Sequence, residues 1–387
     1  MTVRISKPEF NLREKITELD KPSGIKGNEL LRSETSQEVR DLIGAGRKNM
    51  VINGSFKVDQ RNNGGTVSAE QGLYGVDRWK SITSNNNHFS MDREGADGTA
   101  NGNFTTYMRL TTTSAHTVGS SQFFLLWQTI ESKEMFDRTG FGESDAKDLS
   151  LSFWVRSSVS GPFSGSLENV SQNRSFVWEV NIDSENVWEY KTVRIPAINE
   201  GSWPRNTLGA AAYLMFSLGT TITRPPNNWG NSQGLGSPTE VKRIEISGAT
   251  LDLTGIQLEV AKEATDFEYL TFTEDLLLCS RYYQQIEGYS DLIMFGSGRA
   301  NGTTEAQVAV PLTVPLRSSP IIPSLDYKTW GVSGAGSVSN GQPTVTRWFN
   351  DSSIIHLAFP GTSGIQNGRT AVVTCSGGST LQLNSEL

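Results

Sequence analysis

The sequence predicts an all-β protein made of antiparallel sheets packed as sandwiches, and three observations carry that prediction. Short apolar runs alternate with polar residues at the two-residue period of a strand buried on one face. Between them lie stretches rich in Ser, Thr, Asn and Gly, with 38 Gly in 387 residues, as an all-β chain with frequent turns requires. The connections are too short for crossover helices, so neighbouring strands should pair antiparallel and stack face to face. Nine Trp and seventeen Phe can fill two sizeable cores, and a chain of this length is expected to form two or three domains.

Residues 1–48 read as a leader. Charges alternate with Pro8, Pro22 and Gly24, and Phe10 is the single aromatic, too little for an independent core. One short helix is expected: Thr35 and Glu38 form a capping box, Val39, Leu42 and Ile43 a narrow apolar stripe, and Gly44 the stop.

Residues 49–272 carry the clearest alternation. Leu149, Leu151, Phe153 and Val155 share one face, as do Phe176, Trp178, Val180 and Ile182. Ile244 and Ile246, then Leu251 and Leu253, lead into a closing strand in which Ile256, Leu258 and Val260 alternate with Gln257 and Glu259. Turn-rich stretches lie at 81–87, 97–103 and 224–236. The jelly roll is the natural member of this class.

A helix is expected over 273–290, with Thr273 as N-cap and Glu274 and Asp275 in the first turn, where the helix dipole favours carboxylates. Leu276, Cys279, Tyr283 and Ile286 follow the a/d spacing of a seam that packs against copies of itself, an oligomer neck. Residues 291–387 then form a second β unit. Ala306, Val308, Val310, Leu312, Val314 and Leu316 point one way, while Pro311 and Pro315 lack the N–H of a central strand and confine this one to an edge or a bulge. Ile355–Phe359 and Thr370–Cys375 also read as strands.

Charge and cysteine use exclude several classes. The net charge of −7 and the lack of a Lys/Arg run or basic helix face argue against nucleic acid or a membrane surface as partner. Cys279 and Cys375 are the only cysteines, so no disulfide framework and no zinc cluster is expected. Residues 1–8 lack a secretory apolar core and no window reaches about eighteen uninterrupted apolar residues, so a soluble, cytoplasmically made protein is expected.

Five segments occur in the order and rough spacing of a known family: Asn49-Met-Val-Ile-Asn-Gly-Ser-Phe56, Gly75-Val-Asp-Arg-Trp79, Leu151-Ser-Phe-Trp-Val-Arg156, Gly255-Ile-Gln-Leu-Glu-Val260 and Cys279-Ser-Arg-Tyr-Tyr283. Through them the chain resembles tail-fibre-like proteins of tailed bacteriophages over nearly its whole length. The resemblance implies a jelly-roll middle domain similar to carbohydrate-binding modules, a trimer, and a C-terminal unit at the exposed, host-facing end. It implies that the chain ends up in the virion after assembly in the host cytoplasm; the polar leader, which has little reason to order without a partner, is expected to dock on a virion protein or on sister chains through Val39, Leu42 and Ile43, with a solvated leader attached to the next domain as the competing reading. It also implies a structural calcium, for which Asp77 and Glu259 are the charged candidates, although no D-x-D-x-D-G loop is present. No other cofactor is expected.

Candidate sites follow from residue chemistry. Of three histidines, His88 and His116 lie in turns and His356 in a strand, which gives no hydrolase triad. Glu131, Asp145, Glu179 and Glu259 would have to converge for glycoside cleavage. The glycine-rich stretch 295–302 lacks the Lys-Ser/Thr of a phosphate loop. Aromatics speak more clearly: sugar rings stack apolar C–H faces on indoles while Asn, Gln, Asp or Arg bind their hydroxyls. Trp203 and Trp229 lie in loop chemistry, and Trp330 and Trp348 play the same part in the last unit. These four are the candidate stacking residues, with the covering of a sandwich end or subunit interface as the competing role. Trp79, Trp127, Trp154 and Trp178 are expected to pack in the core, and Trp188 has no clear assignment.

The expected whole is a non-enzymatic, trimeric virion protein of tail-fibre type that attaches to host glycans through many weak contacts at once. A head fibre or ligand-free spacer, and a polysaccharide depolymerase, are the alternatives.

Overall fold

Period-two alternation becomes two stacked antiparallel sheets in the structure, a computed structural model that describes residues 47–95, 103–205, 207–287, 293–322, 330–333, 336–338, 343–349, 351–363, 367–368, 370–375 and 380–387. The chain divides into compact units at 1–48 and 49–387, and every described element lies in the second. The capping box of Thr35 and Glu38 and the docking stripe of Val39, Leu42 and Ile43 lie outside the described residues.

The first sheet has six strands: β1 (Val67–Ser68), β4 (Phe89–Gly95), β5 (Thr106–Thr112), β13 (Thr250–Val260), β7 (Leu149–Ser157) and β10 (Glu189–Ile195), in that spatial order. The second has seven, ordered β12 (Asn228–Gly230), β9 (Ser175–Ile182), β8 (Gly161–Asn169), β11 (Ala210–Thr220), β6 (Phe123–Glu131), β3 (Trp79–Thr83) and β2 (Tyr74–Val76). A short helix, α1 (Ser132–Thr139), follows β6. Leu149, Leu151, Phe153 and Val155 are fully buried between the sheets, as are Phe163, Trp178 and Phe216. The ring of Phe153 meets those of Trp178 and Phe216 at 5.4 and 5.3 Å, and burial of each such phenyl contributes about 3 kcal/mol.

The closing strand β13 shows how sequence parity and fold are reconciled. Leu251 and Leu253 face inward at odd positions, Ile256 and Leu258 at even ones, and all four are buried. A bulge between Thr254 and Gln257 absorbs the switch, with Gly255 at φ 59°. A Cβ on Gly255 would stand 2.5 Å from the Phe104 ring, so only glycine allows this close approach. Ile244 and Ile246 depart from the expected strand: Ile244 lies in a 3₁₀ turn, Arg243–Glu245, and Ile246 is exposed.

The expected neck helix is real but shorter. It runs from Phe272 to Ser280 (α2) and is capped by Thr271 rather than Thr273. The Thr271 hydroxyl accepts from the Glu274 N–H, and the Glu274 carboxylate accepts from the Thr271 N–H at 2.8 Å. Beyond it, Tyr283–Glu287 is a strand (β14) paired with Thr380–Asn384 (β22). Leu276, Cys279, Tyr283 and Ile286 therefore form no helical seam. Cys279 and Tyr282 are buried against Ile52 and Val58 of the same chain, and Tyr283 is buried too. Aromatic residues that gain a cross-strand partner and full burial leave the helix for a strand.

The last β unit is a seven-stranded antiparallel sheet ordered β16 (Glu305–Pro311), β15 (Ile293–Asn301), β21 (Thr370–Cys375), β17 (Trp330–Ser333), β18 (Gly336–Val338), β20 (Ile354–Ser363) and β19 (Thr344–Arg347). β16 also pairs with β20, so the sheet curls back on itself and β16 is no edge strand. Pro311 is instead its last residue, where a missing donor interrupts no further ladder. Ala306, Val308 and Val310 enter this unit's core with Ile355, Leu357 and Phe359.

Arginines lock the C-terminal tail to the sandwich. Buried Arg78 lies 3.6 Å over the Tyr282 ring, donates to the Thr129 carbonyl at 2.6 Å and pairs with Glu386. Arg61 lies 3.7 Å over the Tyr283 ring and pairs with Glu386 at 3.0 Å. Arg317 donates to the carbonyls of Leu208, Ser385 and Glu386.

Candidate functional site

The residues that shape the site come from three loops at the β12 edge of the second sheet. β11 ends at Thr220, and residues 221–240, which carry Pro225 and Pro226 just ahead of β12, make an excursion over the face where Leu125, Trp127 and Met215 lie. Backbone bonds fix its course: Arg224 N–H to Gly236 O at 3.1 Å, Leu235 N–H to Ile222 O at 2.8 Å, and Asn227 N–H to Val177 O at 2.7 Å. Leu235 packs beneath it with Leu125, Trp127 and Met215. Glu240 anchors its end, accepting from the Thr220 N–H at 2.9 Å, the Ser217 hydroxyl at 3.0 Å and the Ser164 hydroxyl. Burial pushes the Glu240 carboxyl up to about 7, against the pull of those donors.

The second wall is the loop after β10. Trp229 donates from Nε1 to the Pro196 carbonyl at 2.8 Å, and Trp203 from Nε1 to the Glu200 carbonyl at 3.0 Å. The two indoles meet edge to face with centroids 5.9 Å apart, and Phe141 and Phe176 support Trp229 at 5.7 and 5.5 Å. The third wall is the β8–β9 turn, where the Asn169 side chain accepts from the N–H groups of Asn173 and Arg174, both at 3.0 Å. That places Arg174 Nη2 3.1 Å from Glu200.

Together these loops enclose a cleft of about 340 Å³. Trp229 and Ile198 give it an apolar side; Arg174, Arg224, Glu200 and Asn231 give it donors and acceptors. Glycines seat both arginines. A Cβ on Gly230 would stand 2.0 Å from Arg224 Nε, one on Gly234 would stand 2.6 Å from Arg224 Cδ, and one on Gly201 would stand 2.6 Å from Arg174 Cγ. The Arg224 guanidinium lies against Gly230 and its stem against Gly234, while Arg174 is held by its stem against Gly201, and a larger residue at any of the three would displace the side chain it touches. An indole beside two positioned guanidinium groups is the mixture that grips a polar ring with apolar faces.

The structure unites two of the four candidate tryptophans and corrects one. Trp203 is core, 6% exposed, because its ring fills the space between Phe141 and Trp229. Trp229 is half-buried and lines the cleft. Trp348 is half-buried against the C-terminal core, distant in role from this cleft. Trp330 lies on β17, and its side chain is outside the described residues. Trp154, expected in the core, sits between inward-facing Phe153 and Val155 and so points outward, pairing with Tyr190 at 5.4 Å. Trp188 is buried under Arg156, whose guanidinium lies 4.7 Å over the indole.

The carboxylate candidates are engaged elsewhere. Glu131 binds Arg281 at 2.8 Å and Tyr282 at 2.7 Å, Glu179 accepts from Thr239, and Asp145 does not line the cleft. For calcium, the donor sets do not fit. Asp77 faces Arg61 at 3.3 Å, and burial pushes its carboxyl up to about 7. Glu259 accepts from Gln257 Nε2 and from the N–H and hydroxyl of Thr265, so N–H and O–H donors stand where a cation needs oxygens. Among the described residues no three His, Cys, Asp or Glu side chains converge on a metal position.

Sequence reasoning missed Arg174 and Arg224. Their signal was the spacing of Gly201, Gly230 and Gly234 around the loop tryptophans, which reads only as turn chemistry until the loops are brought together. It also missed Glu168, on β8, which is fully buried with both carboxylate oxygens lacking a donor at hydrogen-bond geometry. Burial pushes it up to about 7, with the Gln233 amide pulling the other way.

No family model matches the chain, nor does any curated protein. Solved structures resemble part of it. TmCBM61, solved in complex with β-1,4-galactotriose, is 10% identical and covers 56% of this chain and 100% of its own, at a TM-score of 0.29. A protein from Bacteroides thetaiotaomicron VPI-5482, described as sugar-binding, is 10% identical over 55% of this chain and 100% of its own, at 0.34. The enzymatically active domain of tailspike protein 4 from bacteriophage CBA120 is 16% identical over 55% of this chain and 21% of its own, at 0.28. Likeness at this level leaves function to the site itself.

Proposed function

We propose that this protein is a non-enzymatic glycan-binding protein of the tail-fibre kind, which attaches a virion to its host, and that the cleft at Trp229 is where a sugar ring seats. One observation carries this reading: an indole and two glycine-seated arginines line a cleft sized for one or two sugar rings, with Asn231 beside them. Among the described residues Glu200 is the single carboxylate lining the cleft. Cleavage of a glycosidic bond ordinarily needs two, so the lining favours binding over hydrolysis. Each site alone is expected to be weak, and three chains per fibre with several fibres per particle would raise attachment through effective concentration.

The test is a glycan array and a host-cell adhesion assay on the full chain, beside Trp229→Phe and Asn231→Ala. Because the ring is also supported by Phe141 and Phe176, Trp229→Phe keeps packing while shrinking the platform. Binding to a defined glycan that falls at least about tenfold in each variant, about 1.4 kcal/mol, is the expected result. A chain that binds no glycan and no cell, yet still joins particles, would instead be a spacer.

A further inference from the structure

We propose that the cleft selects a sugar bearing a carboxylate, a uronate, whose oxyanion is bound by Arg174 and Arg224 while its ring lies against Trp229. This rests on the reading of the cleft as a glycan site. Among the described residues the lining carries two cations and one anion, within a chain whose net charge is −7. The one anion, Glu200, is 70% exposed and already pairs with Arg174. Arg224 has no carboxylate partner among the described residues; its guanidinium donates to the Ser232 hydroxyl.

Glycine contacts make Arg224 more than a surface cation. Its guanidinium lies against Gly230 and its stem against Gly234, so the side chain is ordered before a ligand arrives and loses little further entropy on binding. A planar guanidinium fork matches the two oxygens of a carboxylate, and such charge-assisted pairs are about twice as strong as neutral ones. A neutral sugar would offer Arg224 hydroxyls alone. A sulfate ester shares the anionic chemistry but is tetrahedral, and the experiment separates the two.

The experiment is titration calorimetry of the full chain with galacturonate, glucuronate and mannuronate oligosaccharides, each beside its methyl ester, and with a sulfated galactan oligosaccharide, at low and high salt. The expected result is one uronate binding about tenfold or more tighter than its ester, with the preference shrinking in salt. Arg224→Gln should remove that preference and Arg224→Lys should keep part of it, since charge survives without the fork. Arg174→Gln provides a second reading if Arg224→Gln fails to fold. Esters that bind as tightly as every free acid would overturn the proposal and leave the glycan reading intact. Preference for the sulfated chain would overturn the carboxylate assignment, and binding to no saccharide, on this panel or on the array, would overturn both readings.

Discussion

Glu168 places a carboxyl beneath the surface with no protein donor among the described residues at good hydrogen-bond geometry, and this has a consequence for stability. Its folded-state value lies near 7, against an ordinary 4.5 in the unfolded chain. Between those values the folded state holds a proton that the unfolded state has released, so stability falls as pH rises through that window and levels off above it. Asp77 and Glu240 act in the same direction. Denaturant unfolding should therefore give greater stability at pH 5 than at pH 8, and Glu168→Gln should flatten the profile by stabilising the protein at pH 8, by about 1 kcal/mol or more. An unchanged profile in the variant would contradict this. The burial of Glu168 was not legible beforehand, because an acidic residue on a strand's second face ordinarily meets solvent; Asp77 and Glu240 lie in connections between strands, where a buried carboxyl is still less expected. The 221–240 excursion that brings Gln233 to Glu168 and ends on Glu240 is a long-range event. The same limit applies to Trp203 and Trp229: both sit in loop chemistry, and only ring contacts made across separate loops show that one is core and the other lines a cleft.

Among the elements, the excursion over 221–240 is the one that builds the cleft, and Gly234 offers a clean way to disturb it. An added methyl would press on Arg224 Cδ and Cγ, the flexible part of a long side chain, rather than on backbone. Gly234→Ala should accordingly weaken glycan binding by about tenfold while thermal unfolding shifts little, checked by calorimetry and melting on the same sample. The helix α2 offers a second test: Thr271→Ala should cost about 1 kcal/mol in denaturant unfolding through the lost cap, whereas Thr273→Ala should cost almost nothing. Alternation placed β7, β9 and β13 well, because each carries an inward-facing apolar set; in β13 the second face is buried too, Gln257 and Glu259 included, which alternation alone does not show. The end of α2 was not legible. Tyr283 and Ile286 fit a helical seam by spacing, and the partner strand Thr380–Asn384 that claims them lies far along the chain.

At the scale of the whole molecule, the tail residues Ser385–Leu387 are the clasp between the two β units. Glu386 neutralises two arginines that stack on Tyr282 and Tyr283, and Arg317 binds the adjacent carbonyls. Deleting Ser385–Leu387 should leave Arg78 buried without its counterion, and removal of one partner from a buried pair typically costs about 3–5 kcal/mol. Unfolding of the truncated chain should become biphasic, with the C-terminal unit melting first; a single unshifted transition would show the clasp to be dispensable. Two cores and a sandwich of antiparallel strands were readable from turn density and aromatic content. The threefold assembly expected from the tail-fibre resemblance keeps no helical seam to rest on, and solution mass of the full chain remains its test. The claim on which the rest depends is that a sugar occupies the cleft at Trp229. A crystal structure of the full chain with the tightest-binding oligosaccharide tests it most directly. The expected result is a sugar ring against the Trp229 indole with its polar groups on Arg174, Arg224 and Asn231; sugar density on another face, with this cleft empty, would contradict it.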